Sequence, residues 1–143
     1  MIHEIPGKQG WHDDGLLGDV VIDRASVVPD PQSRIHEWAE LTFGSATHLK
    51  PLYTRTYSEF LELADEVNIL GPEATIDGVK MNPKAMNILK GECADVAITL
   101  FRFAGALGFD LLEEVHKKQS INEQRKWRRH GDGTGQHIKN TEV

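Results

Sequence analysis

The run Glu92-Cys93-Ala94-Asp95-Val96-Ala97-Ile98-Thr99-Leu100-Phe101-Arg102-Phe103-Ala104 is apolar or small at almost every position after Asp95. It carries no strand-type alternation, and a helix that is apolar nearly all round is expected to be buried. Glu92 and Asp95 stand where this apolar run begins. Their i, i+3 spacing projects both carboxylates from one helix face. A helix dipole accounts for acids near a helix start. A carboxylate drawn into apolar surroundings needs more, either a cation or hydrogen bonds.

Working outward, Asn82-Pro83 is a helix start and Gly108 a break, so the helix spans about residues 83–107. Upstream, a helix over residues 51–69 ends at Gly71-Pro72, and residues 71–81 form a connector with an Asp77-Gly78 turn signal. Asp30-Pro31 opens an earlier helix that carries Ile35, Trp38, Ala39 and Thr42 at helical spacing and stops at Gly44. Downstream, Asp110 caps a fourth helix reaching about Trp127. The Gly131-Asp132-Gly133-Thr134-Gly135 tail cannot continue it and reads as a flexible loop. The expected architecture is all-α: a four-helix bundle over residues 31–130, an extended arm over 1–30 and a tail over 131–143. The arm has one apolar-leaning run at 16–22, suited to a short strand or turn. Four such helices in one short chain leave apolar surface over, which an oligomer would cover.

Composition bounds the rest. A chain of 143 residues fits one domain. Aromatics at 7% put the weight of the core on Leu, Val, Ile and Ala. No apolar run approaches the ~18–20 residues of a membrane span. The first seven residues lack the basic and apolar regions of a signal peptide. Together with a single cysteine, Cys93, these features predict a cytoplasmic protein without disulfides. Cys93 reads as a small core residue rather than a nucleophile. With 16 Lys+Arg against 22 Asp+Glu, the chain is a poor generic nucleic-acid binder.

The second helix supplies a complement to Glu92 and Asp95. Glu59, Glu62 and Glu66 fall at i, i+3, i+7, beside an apolar stripe of Phe60, Leu63 and Val67. If the two helices pack antiparallel, Glu59 and Glu62 face Glu92 and Asp95. Four carboxylates converging without a basic partner would repel, and Mg²⁺ or Mn²⁺ would resolve the repulsion, because carboxylate oxygens are hard ligands. Glu66 is either a further ligand, a base that orients water, or a solvated residue. Near the chain end, Lys118, Asn122 and Arg125 share a face at i, i+4, i+7. Such a cationic face with an amide suits a polyphosphate. It also suits a helix C-terminal dipole, or nucleic acid with Trp127 as a stacking platform. Trp38 and Phe43 either stack on a base or belong to the core.

Glu59-Phe60-Leu61-Glu62 followed by Glu92-Cys93-Ala94-Asp95 resembles the Glu-x-x-Glu … Glu-x-x-Asp signature of the MazG-like all-α nucleoside triphosphate pyrophosphatases. Lys118-x-x-x-Asn122-x-x-Arg125 resembles that superfamily's triphosphate-contacting segment. The segment from Trp38 to Gly44, and the closing Trp127 … Gly133-Thr134-Gly135-Gln136-His137, are similar to a phage-associated branch. The resemblance covers about residues 31–138. It implies hydrolysis of a nucleoside triphosphate to monophosphate and pyrophosphate. Metals would be held by Glu59, Glu62, Glu92 and Asp95, outer phosphates by Lys118 and Arg125 with Asn122 as hydrogen-bond partner, in a homodimer or homotetramer with shared sites. In the phage branch the implied substrate is dGTP or GTP, giving dGMP for modified-purine DNA synthesis. Many relatives carry a Glu at the position of Ser58, so a water-activating role for that extra Glu has no counterpart here. Other readings are a pyrimidine (dUTP or dCTP) or damaged-nucleotide pyrophosphatase, a non-catalytic helical scaffold, and a nucleic-acid binder using residues 117–130.

Overall fold

A computed structural model describes residues 30–139. The arm over 1–29, with the strand or turn expected at 16–22, and residues 140–143 lie outside the described residues. The helices are α1 (Pro31–Phe43), α2 (Leu49–Leu70), α3 (Ile76–Lys80), α4 (Pro83–Leu107) and α5 (Leu111–Gln124), followed by strands β1 (Trp127–Arg129) and β2 (Gly135–His137). Among the described residues the fold is all-α apart from that terminal hairpin. Among the described residues no helix is long and apolar enough to cross a membrane.

Local chemistry sets the helix starts. Pro83 occupies the first turn of α4, and the Asn82 side chain accepts the Ala85 backbone N–H at 3.1 Å. Asp110 does the same for α5, accepting the Glu113 N–H at 2.9 Å. The connector after α2 is partly helical rather than a plain turn. Thr75 accepts the Gly78 N–H at 3.0 Å and so caps α3, with Asp77-Gly78 inside that helical turn.

Helix α5 stops at Gln124, three residues before the expected end at Trp127, because Arg125 turns to extended backbone (φ −81°, ψ 156°). The glycine-rich tail is a hairpin loop. β1 and β2 pair antiparallel, Trp127 opposite His137. Gly131 and Gly133 adopt φ of 88° and 90°, which the turn requires and which other residues rarely reach. Asp132 braces it, accepting the Thr134 N–H at 2.9 Å and the Thr134 hydroxyl at 2.6 Å. Trp127 Nε1 donates to the Asn122 carbonyl at 2.8 Å, satisfying an end carbonyl of α5.

Helix α4 is the central element, packed by α2 and, less extensively, by α1. The α1–α4 contact is close. A Cβ added at Gly105 would meet His36 Nδ1 at 2.8 Å and His36 Cβ at 3.0 Å. Since His36 Cβ is itself in the way, rotating the ring cannot clear the space. Gly105→Ala is therefore expected to destabilise the chain by about 1–3 kcal/mol, the usual cost of overpacking, as read by denaturant unfolding.

One expectation is corrected. The described residues do not enclose α4. Ala94, Ala97, Ile98 and Leu100 are exposed, and so is Cys93, which is not a core residue. The buried apolar side chains among the described residues are Ala39, Ala85 and Ala104. Burial of an apolar helix depends on the number of its neighbours, and among the described residues α1 and α2, its main partners, cover only part of its circumference.

Candidate active site

The packing of α2 on α4 brings the acids together. Glu59 and Glu62 lie one turn apart on α2, and Glu92 and Asp95 one turn apart on α4. One carboxylate oxygen each from Glu59, Glu62 and Glu92 lies within 4.8 Å of the others. Glu59 is buried, Glu92 half-buried and Glu62 exposed. Burial pushes the Glu92 carboxyl above its usual range, and the charges of Glu62, Asp95, Glu66 and Glu59 push it further. Its Oε2 is buried without a hydrogen-bond partner. A carboxylate oxygen in that position is costly to leave alone. Negative neighbours cannot relieve it, and a cation can. The donor set, all carboxylate oxygen, suits Mg²⁺ or Mn²⁺.

Asp95 is exposed and stands beside the trio, its charge reaching Glu92. It also lines, with Glu59, a cleft of about 730 Å³ bounded by α1, α2 and α4. Ile35, Trp38, Phe43, Leu52 and Ile98 form the apolar wall of this cleft. Trp38 and Phe43 meet edge-to-face at 5.2 Å and 84°. With relative exposures of 53% and 73%, neither is a core residue of the single chain. The cleft thus joins an apolar wall to two acids, Glu59 from α2 and Asp95 from α4.

Two arginines in this region escaped the sequence reading. The acids are not without a basic partner, because Arg55 forms an ion pair with Glu59 from one turn earlier on α2 and also lines the cleft. The i, i+4 spacing was the signal for it. Arg102 is buried in α4, where its Nη1 donates to Glu40 Oε1 at 2.5 Å and to His36 Nδ1 at 3.0 Å, and its Nη2 donates to the Gly44 carbonyl at 3.2 Å. These three partners all come from α1 or its end, so Arg102 holds α1, and the Trp38–Phe43 wall, against α4. Hydrogen bonds from Ser45 and then Arg102 hold the Glu40 carboxyl below its usual range. The sequence signal for Arg102 was one cation inside an apolar helix, a residue type seldom buried unpaired.

The cationic face near the chain end is arranged differently from the expectation. Arg125 has left the helix, so Lys118, Asn122 and Arg125 do not form one continuous helical face. Arg125 Nη1 instead donates to Asn122 Oδ1 at 3.3 Å, and Lys118 is exposed. None of the three lines the cleft. Lys117 is engaged by Glu113 and Glu114, whose hydrogen bonds raise its pKa.

Glu59 belongs both to the carboxylate trio and to the lining of the aromatic-walled cleft, so oxygen donors suited to a divalent cation stand beside a cleft with an apolar wall. No protein-family model matches the chain. In sequence it is 35% identical over 112 residues to the dATP/dGTP diphosphohydrolase of Salmonella phage PMBT28, an alignment covering 78% of this chain and 31% of that protein. The chain therefore spans about a third of the length of this relative. Among solved structures it is similar to a cyanophage S-2L MazG-like pyrophosphohydrolase bound to dGDP and three catalytic Mn²⁺ ions per active site. That match has 23% identity and a TM-score of 0.46, and covers 82% of this chain and 99% of that one.

Proposed function

We propose that this chain is a MazG-like, metal-dependent nucleotide pyrophosphohydrolase. It converts a purine deoxynucleoside triphosphate, with dGTP (and GTP) as the leading substrate, to the monophosphate and pyrophosphate. The observation that carries this reading is the buried, unpartnered Oε2 of Glu92 beside Glu59 and Glu62. The Glu-x-x-Glu … Glu-x-x-Asp motif and the sequence similarity to a phage dATP/dGTP diphosphohydrolase support it. Its motifs resemble most those of MazZ, the phage enzyme of the 2-aminoadenine DNA pathway. On that reading the product dGMP feeds modified-purine DNA synthesis in the cytoplasm, where nucleoside triphosphates are made and used.

Glu59, Glu62, Glu92 and Asp95 hold the metal. A divalent cation held there would supply Lewis-acid chemistry, neutralising charge at the α-phosphoryl group and activating the attacking water. In the reaction the water oxygen bonds to the α-phosphorus, the α–β bridging bond breaks, pyrophosphate leaves and the water proton is released. Glu66, whose charge acts on Glu92, would orient that water or add a ligand. The Trp38–Phe43 wall takes the base. Lys118, Asn122 and Arg125 lie off their own chain's cleft and on this reading hold the outer phosphates at a neighbouring copy's site, in a homodimer or homotetramer.

The test is product analysis by ion-exchange chromatography, with each common NTP and dNTP in Mg²⁺, Mn²⁺ or EDTA. Equimolar pyrophosphate and monophosphate, abolished by EDTA and greatest with dGTP, is the expected result. A pyrimidine preference would overturn the substrate assignment, and no metal-dependent turnover of any nucleotide would overturn the reaction.

A further inference from the structure

We propose that Arg55 is an exchanging counter-ion: it holds Glu59 while the carboxylates are metal-free, and moves to the nucleotide's phosphates once a divalent cation takes Glu59. This rests on the metal and nucleotide reading above and adds a residue and a sequence of partners to it. The Glu59 side chain is 5% exposed and paired with Arg55, whose own side chain is 65% exposed. Metal-free, a buried carboxylate next to two other acids needs a positive partner, and Arg55 is the one in contact. The pair is also easily parted. Arg55 reaches Glu59 from the solvent side, so water can take over its guanidinium as the two separate. The pair's Arg-before-Glu order within the helix is the less favourable one.

A cation on Glu59 repels the guanidinium and takes its acceptor. Arg55 then stands free on the wall of the cleft that also contains Asp95, Trp38 and Phe43. A planar guanidinium with paired N–H donors fits phosphate oxygens in bidentate fashion, and the cleft's two acids mark where the phosphates of a metal-bound nucleotide lie on this reading.

The test uses the full chain, wild type against Arg55→Gln and Arg55→Lys, with folding checked by circular dichroism. Isothermal titration with Mn²⁺ alone comes first. Arg55→Gln is expected to bind Mn²⁺ about three-fold more tightly, since the guanidinium that competes with the cation for Glu59 is gone. Titration with Mn²⁺-loaded α,β-methylene-dGTP comes second, and there the same variant is expected to bind about ten-fold more weakly, as for loss of a charge-assisted contact. Arg55→Lys keeps the charge without the fork, so it should match wild type for Mn²⁺ and fall between the two for the analogue. Opposite signs in one variant are not what a merely structural residue produces. Unchanged or weaker Mn²⁺ binding by Arg55→Gln overturns the exchange. Tighter Mn²⁺ binding with unchanged analogue affinity overturns the move to phosphate. Wild-type protein that binds neither Mn²⁺ nor the analogue overturns the metal-nucleotide reading and this inference together, an outcome distinct from either of the others.

Discussion

Glu92→Gln is expected to cut turnover at least about 100-fold, as loss of a metal ligand does, while making the metal-free chain more stable rather than less. The two effects have one cause. Glu92 is the carboxylate that burial and four acidic neighbours penalise most clearly, and its Oε2 has no partner. In metal-free protein its charge is a liability, and with metal that charge is what binds. The amide keeps the shape and removes the charge, so the fold gains where the function loses. The pH dependence separates this from ordinary damage. Because the folded-state pKa is raised, the native chain holds a proton that the unfolded chain has released, across the window between the unfolded value and the raised one. Stability of the metal-free wild type therefore falls as pH rises through that window and levels off above it. The Glu92→Gln variant lacks this fall. Thermal melts in EDTA across the weakly acidic range, repeated with Mn²⁺ at neutral pH, measure both. Mn²⁺ should raise the melting temperature of wild type and leave the variant's nearly unchanged. A variant less stable than wild type in EDTA at neutral pH would mean that the Glu92 charge is already compensated in the free protein.

The acidic site was legible because it is written at helical spacing on two segments whose ends are marked by strong local signals. Asn82-Pro83, Asp110 and Asp30-Pro31 act through contacts within a few residues of themselves, and sequence reasoning handles such contacts well. Glu59 and Glu62, and Glu92 and Asp95, then needed only two helices to pack side by side. What was missed depends on distance or on brevity. The hairpin has strands of three residues each, too short for an alternating pattern to show. It is held by Asp132–Thr134 hydrogen bonds and by the Trp127 indole on Asn122, which no periodicity encodes. Arg125 was placed on a helical face by its i+7 spacing from Lys118 in a helix expected to reach about Trp127, and the chain instead leaves the helix at Arg125 to enter the hairpin. The exposure of Ala94, Ala97 and Leu100 was unreadable for another reason: an apolar helix states that it wants covering, without stating what covers it. The Arg102 cluster was hidden because its partners His36, Glu40 and Gly44 lie 58–66 residues away in sequence.

That same Arg102 carries the largest stability effect expected of a single substitution. Arg102→Met keeps the side chain's length and apolar stem but removes the hydrogen bonds to His36, Glu40 and Gly44. Arg102 is 11% exposed at its side chain and Glu40 28%, so water cannot fully replace what is lost. Deleting one member of a buried ion pair strands the other. A cost of about 3 kcal/mol is the expected scale for Arg102→Met, toward the lower end for such deletions because Glu40 retains some water. The damage should be directional. Arg102 ties the end of α1 to α4, whereas α2 packs on α4 independently of it, so α1 should loosen while the acidic trio stays assembled. Backbone amide exchange in residues 31–43 should rise well above that in α2, and Mn²⁺ binding should survive. Nucleotide affinity should fall sharply, because the Trp38–Phe43 wall is carried by α1. The double variant Arg102→Met/Glu40→Gln separates loss of contact from stranding of charge. It leaves no unpaired carboxylate at Glu40, so it should recover part of the stability lost by Arg102→Met alone, a non-additivity characteristic of directly interacting residues. Full additivity of the two substitutions, or equal loosening of α1 and α2, would show that Arg102 braces the bundle generally and does not set the cleft through α1.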